Sequence, residues 1–130
     1  MPNAILVDDD EEICVFLKEQ LESIGFSVKS AVSGDLVLPM IDQQEVHLAI
    51  VDLRLLTAVT GLDVIRHVKN QWPNAMVIAM TGYVDIGLRQ DTRKAGVHGY
   101  FIKPDDLQPG VFQEKIKVIM NQTQKKYFSS

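Results

Sequence analysis

Ala4-Ile5-Leu6-Val7-Asp8-Asp9 is an apolar run that stops abruptly at two carboxylates. The same arrangement recurs in His47-Leu48-Ala49-Ile50-Val51-Asp52, in Ala75-Met76-Val77-Ile78-Ala79-Met80-Thr81 and in Gly99-Tyr100-Phe101-Ile102-Lys103. Short continuous apolar runs of this kind read as strands buried on both faces, the pattern of a parallel sheet covered by helices. The residue that ends such a strand stands at the rim of the sheet, where open α/β sheets bind their ligands. Asp8, Asp9, Asp52, Thr81 and Lys103 are therefore the first candidates for a site.

Between these runs the periodicity becomes helical. Ile13, Phe16, Leu17, Leu21 and Ile24 recur at helical spacing, Asp10 suits the N-cap, and Gly25 suits the C-terminal end. Phe26 to Val32 reads as a further strand, and Ser33-Gly34-Asp35 opens a short helix carrying Val37, Met40 and Ile41. Leu62, Ile65 and Val68 mark a helix that ends near Trp72-Pro73-Asn74. From Asp85 to Lys94 the apolar stripe is thin and Gly87 weakens it, which predicts a loosely held helix. Val111, Phe112, Ile116 and Ile119 mark a last helix, introduced by Pro109. Strands and helices in alternation predict a parallel sheet with helices on both faces, joined by right-handed crossovers.

Composition bounds the function. The chain has 130 residues, 46% hydrophobic and 23% charged, which suits one globular domain, and no apolar run approaches the ~20 residues of a membrane span. No signal peptide is visible at the N-terminus, so a cytoplasmic location is expected. The net charge of -4 argues against direct binding of nucleic acid. Cys14 is the single cysteine and reads as a small buried hydrophobe. His47, His67 and His98 are dispersed without metal-ligand spacing and suit surface or strand-edge roles. Residues 1–122 are expected to form the domain, with 123–130 a polar C-terminal tail or linker stub.

An acidic pair after the first strand, a lone aspartate after the third, a threonine after the fourth and Lys103-Pro104 after the fifth together resemble the receiver domain of bacterial response regulators. Lys94-Ala95-Gly96-Val97-His98-Gly99-Tyr100 resembles the family's approach to its fifth strand. Any one residue is weak evidence: alone, Thr81 reads as a turn residue and Lys103 as a solvated charge. Five in order, each after a strand, are specific. The resemblance implies a flavodoxin-like (βα)5 fold of the CheY-like kind, with a five-stranded parallel sheet in the order 2-1-3-4-5.

The resemblance also implies a chemistry. Asp52 would be the phosphoacceptor, taking a phosphoryl group from a phosphohistidine of a sensor histidine kinase or phosphotransfer protein. Asp9, Asp52 and the backbone carbonyl of Arg54 would hold Mg²⁺, with Asp8 acting through water or hydrogen bonds and Mn²⁺ as a substitute, because a hard cation relieves repulsion between carboxylate and phosphoryl group. Lys103 and Thr81 would bind phosphoryl oxygens, and Thr81 with Tyr100 would form the switch. Arg54 and Tyr83 stand where the family tunes dephosphorylation, and their bulk predicts a long-lived phosphorylated state. The implied partners are a kinase, a downstream protein or covalently linked effector domain, and a second copy on phosphorylation, with no direct nucleic acid and no membrane. Such a domain is a signalling phosphoacceptor that catalyses its own phosphorylation and slow dephosphorylation, rather than an enzyme acting on separate substrates.

The chain departs from the family after Asp52. Leu56 stands where a proline is common, Thr60 where a glycine is common, and Gly61 follows one residue late. An altered loop is expected over 53–61, with Leu55, Leu56 and Val59 placing apolar surface beside the site. This motivates a second reading, a phosphorylation-independent receiver-like interaction module. A third, an Asp-nucleophile phosphatase, is disfavoured because that chemistry uses an acid two residues after the nucleophile, where this chain has Arg54.

Overall fold

The computed structural model describes residues 1–82 and 86–122. Tyr83, the Asp85 start expected for the fourth helix and the tail expected over 123–130 therefore lie outside the described residues. Five strands, β1 (Asn3–Val7), β2 (Ser27–Ala31), β3 (Leu48–Asp52), β4 (Met76–Thr81) and β5 (Gly99–Ile102), pair in parallel in the order β2-β1-β3-β4-β5. They alternate with α1 (Glu11–Ser23), α2 (Gly34–Gln43), α3 (Gly61–Gln71), α4 (Ile86–Lys94) and α5 (Val111–Gln122), and a 3-10 turn spans Asp105–Leu107. This is the expected flavodoxin-like architecture, with several strands starting a residue later than the apolar runs suggest.

The two-residue repeat of each strand divides the core between the faces of the sheet. Leu6, Ile50, Ile78 and Phe101 point to the side covered by α1 and α5, where they meet Leu17, Leu21, Phe112 and Ile116. Their neighbours Val7, Val51 and Ala79 point to the other side, against Val37, Ile41, Val64, Ile65 and Val68 of α2 and α3. Because both faces are covered, the central strands are apolar from Ala4, Leu48 and Met76 until they reach the rim. The alternation that marks a half-exposed strand is absent for that reason.

Local signals set the helix ends. Asp10 caps α1 by accepting from Glu12 N–H and Ile13 N–H, and Gly25, at φ 103°, takes the left-handed conformation that lets Phe26 N–H donate back to Leu21 C=O. Ser33 caps α2. Thr60 and Asp63 form a reciprocal capping box at the start of α3. α4 buries Thr92 alone among its residues, as its thin apolar stripe predicts. The histidines take edge and surface positions: His47 and His98 each accept a backbone N–H through Nδ1, and His67 pairs with Asp42 at 2.8 Å.

The loop after β3 differs from the expectation in one respect. Leu55 is buried in the α2–α3 core and Val59 is partly buried, so Leu56, 87% exposed, carries the apolar surface beside the rim by itself. The loop returns to the sheet at Gly61. A Cβ there would lie 2.3 Å from the Asp52 carbonyl oxygen and 2.7 Å from Leu53 Cα, so no larger residue fits. The glycine one residue late thus meets the backbone of Asp52 directly, while Thr60 serves as the helix cap.

Candidate functional site

β1, β3, β4 and β5 bring Asp8, Asp9, Asp52, Thr81 and Lys103 to one rim. Asp8 follows the last residue of β1 and is fully buried; Asp52 and Thr81 end β3 and β4 and are also buried, whereas Asp9 is exposed. One oxygen from each of Asp8, Asp9 and Asp52 lies within 4.8 Å of the others. Lys103 crosses from β5 to place its ammonium 2.6 Å from Asp8 Oδ2 and 3.0 Å from Asp52 Oδ2. The remaining oxygens are held by backbone: Asp8 Oδ1 accepts from Asp10 N–H at 2.8 Å, and Asp52 Oδ1 from Arg54 N–H at 2.9 Å.

The electrostatics follow from burial. Loss of water pushes the Asp8 carboxyl up to about 6, against the pull of the Lys103 ammonium and the Asp10 N–H, and the neighbouring Asp52 charge adds to the rise. Burial works to lower Lys103, but its contacts with Asp8 and Asp52 outweigh it and hold the ammonium above its ordinary value. Lys103 meets Asp8 Oδ2 as a close ion pair, so its ammonium stands on carboxylate oxygens that a second cation would also approach. Closely spaced carboxylate oxygens of this kind are the donor set of a hard divalent ion, and Mg²⁺ fits them. Cys14, directly beneath, donates its thiol to the Asp8 carbonyl; burial pushes that thiol up to about 11 and leaves it unreactive.

Tyr100 lies to one side of this group. Its ring is partly buried, its hydroxyl donates to the Arg89 carbonyl at 2.8 Å, and the Arg89 guanidinium stands 4.9 Å from the ring centroid. Arg54 follows β3 and is exposed, its N–H engaged by Asp52. Asp106 and Lys115 were not among the residues singled out from the sequence. Asp106 accepts from Ile102 N–H, and Lys115 pairs with Asp106 and with the Tyr100 carbonyl. An aspartate shortly after Lys103-Pro104 is a turn signal that could have flagged Asp106, whereas nothing local marks Lys115.

The response regulator receiver domain matches residues 4–116 of the chain. The chain belongs to this family. Its fold is also that of solved receivers: the CheY-like receiver domain protein of Methanospirillum hungatei JF-1 superposes with a TM-score of 0.85 at 27% identity, over 97% of this chain and 98% of that one. A response regulator of Burkholderia pseudomallei, solved with a phosphorylated aspartic acid, a calcium ion and citrate, superposes with a TM-score of 0.74 at 25% identity, over 93% and 75% of the two chains. The photosynthetic apparatus regulatory protein RegA of Rhodovulum sulfidophilum is 32% identical over 105 residues, 81% of this chain and 57% of that protein. This chain thus spans little more than half of that relative. It is a receiver domain of two-component signalling with an acidic pocket at its rim, and no helix among the described residues is long and apolar enough to cross a membrane.

The raised Asp8 carboxyl has a consequence for stability. Between its ordinary 3.8 and about 6 the folded protein holds a proton that the unfolded chain releases, so this group's stabilisation is lost as pH rises through that window. Asp8→Asn is expected to remove this slope and to raise stability at neutral pH in the absence of divalent ions. Urea melts across the window test this; an unchanged slope in the variant would exclude Asp8 as its source.

Proposed function

We propose that the chain receives a phosphoryl group on Asp52 from a phosphohistidine of a sensor histidine kinase or phosphotransfer protein. An Asp52 carboxylate oxygen attacks phosphorus, the bond from phosphorus to the imidazole nitrogen breaks, and the electron pair leaves with the imidazole. The observation that carries this reading is the buried Asp8–Asp52 pair with the Lys103 ammonium between them. Mg²⁺ held by Asp9, Asp52 and the Arg54 carbonyl, with Asp8 acting through water or hydrogen bonds, or Mn²⁺ in its stead, would neutralise charge on the incoming group.

The protein's own residues do the rest. Lys103 already contacts the Asp52 oxygen and is placed to follow the negative charge onto the product phosphoryl group. Thr81, at the end of β4, offers its hydroxyl to another phosphoryl oxygen. A hydrogen bond to a charged group contributes about 1.5–3 kcal/mol, enough to shift a two-state equilibrium by roughly 10-fold to 100-fold. Rearrangement of Thr81 and Tyr100 would then report the event to a downstream protein, a linked effector domain or a second copy of the chain. Residues 1–122 suffice for these roles, and 123–130 serve as tail or linker. A location in the cytoplasm, where such kinases place their phosphohistidines, accompanies this reading.

Incubation with Mg²⁺ and acetyl phosphate, followed by intact mass measurement, is expected to give one phosphoryl adduct that Asp52→Asn abolishes. An adduct that survives the substitution would move the acceptor elsewhere. Absence of any adduct, with small donors and with a cognate kinase, would favour the phosphorylation-independent interaction module.

Arg54 and Tyr83, two residues beyond Asp52 and Thr81 respectively, are proposed to obstruct the hydrolytic water and so prolong the phosphorylated state. The paired substitutions Arg54→Asn and Tyr83→Ala are expected to speed loss of the adduct. An unchanged decay rate would contradict this.

A further inference from the structure

The free edge of β5 is closed by two side chains instead of a strand. Among the described residues β5 has only β4 beside it in the sheet, so alternate residues turn their backbone polar groups outward. Lys103 N–H donates inward to the Thr81 carbonyl at 2.8 Å, which sets the parity and leaves Tyr100 and Ile102 facing the edge. There Asp106 Oδ2 accepts from Ile102 N–H at 2.7 Å, and Lys115 Nζ donates to the Tyr100 carbonyl at 3.1 Å. The same Asp106 oxygen meets Lys115 Nζ at 2.7 Å. One acceptor and one donor, locked together, thus occupy the places a sixth strand would fill.

The clasp is anchored from both ends. Asp106 lies in the 3-10 turn directly after Lys103-Pro104, with its side chain 17% exposed. Burial works to raise its carboxyl, but the Ile102 N–H and the Lys115 ammonium outweigh it and hold it below the usual range, so it remains an anion at neutral pH. Lys115 is aimed by the packing of α5: its ammonium stands 5.2 Å from the centroid of Phe101, whose buried ring meets Phe112 edge to face.

We infer that the Lys115–Asp106 pair positions Lys103 for the phosphoryl-transfer reaction, by fixing the backbone on either side of Phe101 and so the direction in which Lys103 leaves β5. The inference rests on the reading of Asp52 as phosphoacceptor. Lys103 must hold two carboxylate oxygens at once, 2.6 Å and 3.0 Å from its ammonium, at the end of a flexible side chain. Holding the backbone at the root of that side chain narrows the positions its ammonium can reach. Neither Lys115 nor Asp106 touches the reacting atoms, so both are positioning residues. Their distance from Asp52 in sequence links α5 to the chemistry without a contact of its own.

Two readouts on the whole chain test this. Lys115→Met keeps the length of the side chain and removes its charge, Asp106→Asn weakens the clasp from the other end, and Lys115→Arg should restore it. With acetyl phosphate and saturating Mg²⁺, Lys115→Met and Asp106→Asn are expected to slow phosphoryl uptake by roughly 10-fold to 100-fold, up to the cost of a catalytic group misplaced by about 1 Å. Nitrogen NMR of the Lys103 ammonium should show its signal shifted or broadened in both, and Lys115→Arg should recover rate and signal. An unaltered Lys103 signal with unaltered uptake would overturn the inference. So would a slower rate that follows lost folding stability and is not rescued by arginine. Should the wild-type chain take no phosphoryl group, the reading of Asp52 fails, and the Lys103 signal alone then decides the positioning role.

Discussion

Two carboxylates buried side by side share one ammonium, and most of the molecule serves to keep them there. Asp8 and Asp52 sit at the ends of neighbouring strands, shielded from water and close enough to repel. Burial of an unpaired charge is costly, and Lys103 offsets part of that cost while occupying the same oxygens that a metal ion would use. Such a cluster persists only on a scaffold stable enough to hold it. The two-faced core of the sheet supplies that stability, and the rim is where its apolar runs give way to charge.

The loop after Asp52 departs from the family pattern in sequence and closes on the sheet at Gly61. Gly61 arrives one residue late, yet it is the residue that presses against the Asp52 carbonyl, and Thr60 is free to cap α3. Within the loop Leu55 turns into the core and Leu56 turns out of it. The Asp52 backbone is therefore braced from the α3 side, just as the Lys103 end of β5 is braced by Asp106 of the 3-10 turn and Lys115 of α5. Both braces act on backbone one step removed from the charged groups.

The strand ends were readable because each is a local event, an apolar run followed by a polar residue. The same holds for the caps at Asp10 and Ser33 and for the turn at Gly25, whose signals lie within a few residues. The geometry that ties these pieces together was not local. That Lys103 reaches Asp8 as well as Asp52 depends on the order of the strands, which sequence periodicity does not fix and the family resemblance had to supply. Leu55 was expected at the surface as part of the altered loop, and its burial reflects the path of the loop over α2 and α3. Nothing local marks Lys115, since its partners on β5 and the 3-10 turn are brought to it by tertiary packing.

If the buried carboxylates are a cation site in which Lys103 and Mg²⁺ compete for the same oxygens, removing the ammonium has opposite effects on binding and chemistry. Calorimetric titration of Mg²⁺ into Lys103→Met, beside the unaltered chain, measures this directly. The account predicts tighter Mg²⁺ binding in the variant, together with loss of phosphoryl uptake; weaker binding, or none, would contradict it.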